Sequence, residues 1–191
     1  MMYPILKRLF DILFALSFLI LFFPVMLLTA LAIRLTSKGP ALYWSERIGK
    51  NNQNFMMPKF RSMRIDTPAL PTHLLKDGQS FLSPIGGFLR KSSLDELPQF
   101  ISVLKGDMSI VGPRPALFNQ DDLKELRTDS QVHTIPPGIT GYAQIKGRDE
   151  LPIPQKVEFD RYYFENKSFF FDLKIICLTI YKVLLRKDIS H

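Results

Sequence analysis

Hydrophobic positions along the chain fall into one long run near the N-terminus, a pair of short extended stretches, and a periodic stretch near the C-terminus. The run from Ile12 to Ile33 carries no charged side chain. At ~1.5 Å per helical residue it reaches about 33 Å, enough to cross the hydrocarbon layer of a bilayer. It is too long for a cleavable signal peptide, and no small-x-small site follows it. Pro24 stands near its middle, where it removes one helical hydrogen bond. Basic residues flank both ends, Lys7 and Arg8 before it and Arg34, Lys38, Arg47 and Lys50 after it, so charge asymmetry assigns no orientation. Two arrangements satisfy this pattern: a spanning helix, or a re-entrant helix that bends at Pro24 and returns to the face it came from.

Beyond Gly39-Pro40 the pattern changes. ALYWSERIG and NFMMPKFRSM flank the polar stretch KNNQ, which predicts a β-hairpin with Pro58 on an edge strand. A Pro-, Gly- and Ser-rich loop follows, DTPALPTHLLKDGQSFLSPIGG. The next predicted element is a helix from about Leu94 to Leu104, stopped by Gly106, with Ser93-x-x-Glu96 as a capping box. Pro98 sits badly in that helix, because its ring would meet the carbonyl of Leu94. VGPRPALFNQ is predicted to be irregular, and PPGITGYAQIKGR is a second turn-rich segment. In FFFDLKIICLTIYKVLLRK, Leu173, Ile176, Cys177, Ile180 and Leu184 share one helical face and Lys174, Lys182 and Arg186 the other. That helix fits either a core position or the surface of a membrane, and the aromatics of EFDRYYFENKSFFF allow the same two placements.

Length and charge narrow the classes. With 191 residues, 46% of them hydrophobic, the chain holds one core-forming domain with room for an appendage. A net charge of +7 points to an anionic partner: nucleic acid, an anionic membrane surface or a phosphorylated substrate. The scattered cations and the lack of a groove-reading helix argue against nucleic acid. The single Cys177 excludes an internal disulfide, and His73, His133 and His191 lack metal-ligand spacing.

The chemistry concentrates in KSSLDELPQF. Asp95 and Glu96 are adjacent carboxylates between leucines, and they repel each other unless a cation relieves them. The local conflict between the capping box and Pro98 marks a functional site. Lys59 in the hairpin, Arg90 and Lys91 before the carboxylates, and Arg114 clamped between Pro113 and Pro115 supply cations. Carboxylates, arginines and a divalent ion are the components of phosphoryl transfer.

The ordered set KFRSM, SLDELPQF, LKGDMSIVGPRP, PGITGYAQIKGR and FDRYY behind an apolar segment resembles the bacterial sugar transferase family, the small monotopic phosphoglycosyl transferases. The resemblance covers nearly the whole chain. It implies an α+β fold: a compact, mostly helical catalytic domain with a β-hairpin over residues 39–191, interfacial amphipathic helices, and a re-entrant membrane helix over residues 1–38. It implies transfer of a sugar-1-phosphate from a UDP-sugar to polyprenol phosphate, with release of UMP. It casts Asp95 as nucleophile and as ligand to Mg2+, and Glu96 as its catalytic partner. Lys59, Arg90 and Arg114 match the family's phosphate-binding cations, with Arg148 as a further candidate. It further implies the cytoplasmic face of the bacterial inner membrane, with downstream glycosyltransferases as possible partners. The family's helix break falls at a Ser-Pro pair, whereas this chain has Phe23-Pro24. The alternative reading is a non-catalytic, membrane-tethered scaffold that keeps the fold.

Overall fold

The computed structural model describes residues 2–67, 80–147 and 151–185. Much of the predicted loop, together with His73, Arg148, Arg186 and His191, lies outside the described residues. The chain mixes helices and small sheets. Helix α1 (Met2–Thr36) is followed by strands β1 (Leu42–Ile48) and β2 (Asn54–Phe60), then α2 (Gly86–Lys91) and α3 (Gln99–Lys105). Next come β3 (Ser109–Val111), β4 (Ala116–Leu117), α4 (Asp121–Asp129), β5 (Gly138–Thr140), α5 (Tyr142–Lys146), α6 (Ile153–Asn166) and α7 (Phe169–Leu184).

The hairpin is antiparallel, with Tyr43 opposite Lys59 and Trp44 opposite Pro58. β2 is the sheet edge in the order β2-β1-β4, the position where a proline forfeits no ladder hydrogen bond. The segment predicted to be irregular contributes two residues of strand, Ala116 and Leu117, which pair with Ile48 and Arg47. The second turn-rich segment likewise supplies β5, parallel to β3, and the short helix α5. Neither shows periodicity in sequence because each element is only two to five residues long. Glycine permits the β3–β5 approach: a Cβ on Gly138 would collide with the backbone nitrogen of Gly112.

The helix predicted over 94–104 is two elements. Leu94–Glu96 form a single 3-10 turn, and α3 starts after Pro98, so no helical bond is asked of the proline nitrogen. Ser93 adopts a left-handed conformation (φ 56°) and its side chain caps nothing, so the capping box does not form. Gly106 ends α3 at φ 98°, as the sequence predicts.

Helix α1 runs through Pro24 without interruption, the loss of one hydrogen bond being insufficient to end it. Asp11, Ala15, Phe18, Phe22, Met26, Thr29 and Ile33 form a stripe at helical spacing that turns toward the rest of the protein. Phe18 stacks on Phe100 with ring centroids 4.0 Å apart, and Ile33 packs among Phe60, Leu89 and Leu97. The opposite side exposes Leu13, Ile20, Leu21, Phe23, Leu28 and Leu35. At the N-terminal end a polar cluster pins the helix. Lys7 Nζ donates to Asp172 Oδ2 at 3.0 Å, the Tyr3 hydroxyl donates to the same oxygen at 2.9 Å, and the Tyr163 hydroxyl donates to Oδ1 at 2.7 Å. Asp11 accepts from Ser109 Oγ and from the backbone N–H of Ile110.

Asp172 also fixes the rotation of α7. Ile175 and Ile176 join it inside, whereas Cys177 and Ile180 of the predicted apolar face are exposed along with Tyr181 and Val183. The buried face is therefore rotated from the one expected, because a carboxylate with three donors takes an inward position that hydropathy assigns to leucine. Removing it should be costly. Asp172→Ala removes the shared acceptor of a mostly buried ammonium and two hydroxyls and leaves them only the longer contacts to Asp11, to the Val111 carbonyl and to each other, a loss of about 3–5 kcal/mol. The melting temperature in detergent should then fall by roughly 10 °C, while Phe170→Ser, at an exposed position, should leave it nearly unchanged.

Candidate active site

Three segments distant in sequence converge. The first is one face of the hairpin, where period-two alternation places Ser45, Arg47 and Lys59 together. The second is the 94–99 turn, and the third is the loop Pro113-Arg114-Pro115. Between them lies a shallow pocket walled by Arg47, Met57, Lys59, Glu96, Gln99, Arg114, Pro115, Gly138 and Ile139.

Glu96 is the hub. Its Oε1 accepts from Lys59 Nζ at 3.0 Å and stands 4.0 Å from Arg114 Nη2. Lys59 and Glu96 are both mostly buried, so this pair is screened less than a surface one. Asp95, beside it, is only 7% exposed, and among the described residues its Oδ1 has no hydrogen-bond partner. Burial first, and the neighbouring Glu96 second, push the Asp95 carboxyl up to about 6, against the pull of Lys59, Arg90 and a backbone N–H. Arg90 reaches this environment from α2, with its Nε donating to Ser62 Oγ at 3.1 Å. Burial pulls its guanidinium below the ordinary range, and Asp95 opposes that shift.

The loop carrying Arg114 is held from behind. Arg127 of α4 donates from Nη1 to the Arg114 carbonyl at 2.9 Å, and from Nε and Nη2 to Asp160 Oδ2 at 3.0 and 2.6 Å. Asp160, on α6, is almost fully buried. Gly138 N–H donates to the Pro113 carbonyl at 2.8 Å, and Arg47 donates from Nη1 to that of Pro115 at 3.4 Å. Arg114 is thus positioned by hydrogen bonds from three elements as well as by its flanking prolines.

Of the residues singled out in the sequence, the structure places Lys59, Arg90, Asp95, Glu96 and Arg114 near one another, while Arg148 lies outside the described residues. Sequence reasoning misses Arg47, Gln99, Arg127 and Asp160. Gln99 falls inside the quoted SLDELPQF, and Asp160 inside FDRYY, but neither position announces its burial.

Two mutually repelling carboxylates ringed by cations form a centre suited to binding and transferring a phosphoryl group. The sequence model of the bacterial sugar transferase family matches residues 2–186, and the chain belongs to that family. It is 43% identical to a Bacillus subtilis (strain 168) protein named uncharacterized sugar transferase EpsL, over 98% of this chain and 91% of that one. It is 40% identical to the UDP-glucose:undecaprenyl-phosphate glucose-1-phosphate transferase of Escherichia coli (strain K12), over 96% of this chain. Identity is also 40% to the UDP-N-acetylgalactosamine-undecaprenyl-phosphate N-acetylgalactosaminephosphotransferase of Aeromonas hydrophila, over 95% of this chain. The chain spans 41% and 44% of the lengths of those two enzymes.

Because the Asp95 carboxyl is held above its unfolded value, the native state binds the extra proton and loses stability as pH rises through the interval between about 4 and 6. In EDTA, Asp95→Asn should therefore melt higher than the wild type at pH 8, by about 1–3 kcal/mol equivalent, and the gap should close toward pH 4. A gap that stays constant with pH would contradict this origin.

Proposed function

We propose that this protein transfers a sugar-1-phosphate from a UDP-sugar to polyprenol phosphate, releasing UMP. The observation that carries the reading is the placement of Asp95: a buried carboxylate with one unpaired oxygen, next to Glu96 and among Lys59, Arg90 and Arg114. Family membership and the activities named for the relatives support it.

In the proposed cycle the diphosphate enters the pocket and takes Lys59 and Arg114 as partners, which loosens their hold on Glu96. A carboxylate oxygen of Asp95 attacks the sugar-linked phosphorus. The bond from that phosphorus to the bridging oxygen breaks, and UMP leaves with the electron pair. The sugar phosphate then rests on Asp95 as a mixed anhydride. A phosphate oxygen of polyprenol phosphate attacks the same phosphorus and frees the carboxylate.

Among the described residues no group of three or more metal-ligating side chains exists. Magnesium does not require one, since it is commonly held by one or two carboxylates, waters and substrate phosphates. The unpaired Asp95 oxygen and the adjacent Glu96 fit that kind of site and would hold the ion, whose charge would screen the diphosphate from the attacking carboxylate.

The proposed anchor does not span the inner membrane and lies at its cytoplasmic face; α1 is continuous through Pro24, so what supports this placement is its packing along the domain and not a bend. A spanning helix would carry its apolar middle away from the domain, whereas here one stripe is engaged from Asp11 to Ile33. Its exposed apolar side, with the open face of α7, supplies the surface for one leaflet. The catalytic domain would then rest where a lipid phosphate is within reach.

The relatives name different sugars at equal identity, so similarity does not select the donor. Intact-mass spectrometry of the detergent-purified protein with magnesium and a UDP-sugar panel, without lipid, should show one phosphosugar adduct that Asp95→Asn abolishes. The added mass identifies the sugar. UMP release that occurs only with lipid, with no adduct at any time, would retain the transferase and remove the covalent step. No UMP from any donor, with lipid present, would favour the scaffold.

A further inference from the structure

We infer that Ser62 is a positioning residue of this site, its hydroxyl oxygen fixing the plane and place of the Arg90 guanidinium beside Asp95; this rests on the function proposed above. Ser62 lies in KFRSM, just past the end of β2, and the proposed cycle gives it no task. It is 8% exposed, and its Oγ accepts the Arg90 Nε–H at 3.1 Å. Nε is the nitrogen at the root of the guanidinium, so a bond there sets the rotation of the whole planar fork. The fork stands close enough to the Asp95 carboxyl for each charge to act on the other. Its orientation therefore matters to the group that performs the proposed attack.

The backbone on both sides of this contact is fixed. The Ser62 carbonyl accepts from the Ser83 N–H at 3.0 Å, Met63 forms an antiparallel bridge with Leu82, and the Arg64 N–H donates to the Phe81 carbonyl at 2.8 Å. This short ladder lays the chain entering α2 on the chain leaving β2. Gly86, the first residue of α2, sits so tightly there that a Cβ would collide with the Ser62 carbonyl. Gly86 and Arg90 are four residues apart and so share one face of the helix. α2 thus rests on Ser62 at two points, by backbone at Gly86 and by side chain at Arg90. At its far end the Ser93 N–H donates to the Arg90 carbonyl at 3.0 Å, and left-handed Ser93 turns the chain into Leu94–Glu96. Lys59, three residues before Ser62, and Arg90, bonded to it, are therefore held in one frame on either side of the carboxylate pair.

A role in packing alone would give a different pattern. UMP release by the full-length protein would be followed in detergent, with magnesium, polyprenol phosphate and a UDP-sugar that the wild type turns over. In Ser62→Ala, kcat/KM should fall about tenfold, while the melting temperature stays within about 4 °C of the wild type. Ser62→Cys, close in size but a weak acceptor, should lose nearly as much. In an Arg90→Met background, which has no guanidinium to orient, Ser62→Ala should cost less than about twofold. If Ser62→Ala costs as much in that background as alone, or if Ser62→Cys keeps the wild-type rate, the inference is overturned while the proposed function stands. If the wild type itself releases UMP from no UDP-sugar, both fall together.

Discussion

Desolvation of Asp95 is the constraint around which this structure is arranged. A carboxylate at 7% exposure next to a second carboxylate favours its protonated form, which is a poor nucleophile. The fold meets this with cations from three separate elements: Lys59 on β2, Arg90 on α2 and Arg114 on the loop before β4. The ion pairs seen among the described residues do not go to Asp95. Lys59 and Arg114 instead face Glu96, which takes up their charge and leaves one Asp95 oxygen unpaired. The pair thus divides its duties, Glu96 anchoring the cations and Asp95 remaining open. In the proposed cycle an incoming diphosphate would offer the cations a stronger partner and turn a costly resting arrangement into a binding one.

That arrangement needs rigid backbone at positions where regular elements are short. The Pro-Arg-Pro loop is fixed by the Arg127–Asp160 pair, by the Gly138 N–H and by Arg47, which come from α4 and α6, from β5 and from β1. The close passage of Gly112 and Gly138 is what lets β3 and β5 pair and present Pro113 to that N–H. Burial pushes the Asp160 carboxyl up, and Arg127 opposes the shift by pairing with it. A buried pair of this kind holds the loop through geometry more than through net stability.

Much of this was legible in the residues. The hairpin, its edge proline, the apolar α1 and the stop at Gly106 all follow from local rules, as does the cation-ringed carboxylate pair. The conflict between a capping box and Pro98 falls at the candidate site, but its resolution was hidden. Ser93 takes a left-handed turn, and the helix divides around the proline. What could not be read was set by contacts across long stretches of chain. The inward Asp172 has its partners at Tyr3 and Lys7 near the N-terminus, so hydropathy alone rotates α7 wrongly. Gln99 looks like an ordinary surface residue until the fold buries it at the pocket wall, and Arg47 reads as a membrane-flanking charge until strand register turns it toward the pocket.

The same contacts connect the anchor to the chemistry. Phe18 of α1 stacks on Phe100, the residue after Gln99, and Ile33 packs against Leu97, two residues after Asp95. The membrane helix therefore forms part of the floor beneath the 94–100 segment. A helix that served only as a tether would not need to fill this core. Because it does, α1 and the segment carrying Asp95 belong to one continuous packing arrangement, which in the proposed membrane placement would set the depth of the helix and the height of the carboxylate together. An acceptor phosphate carried by a lipid is confined to a narrow layer at the bilayer surface. Under the function proposed above, a nucleophile held at a fixed height relative to that layer would meet it without any domain motion, a reason for building the site directly on the anchor.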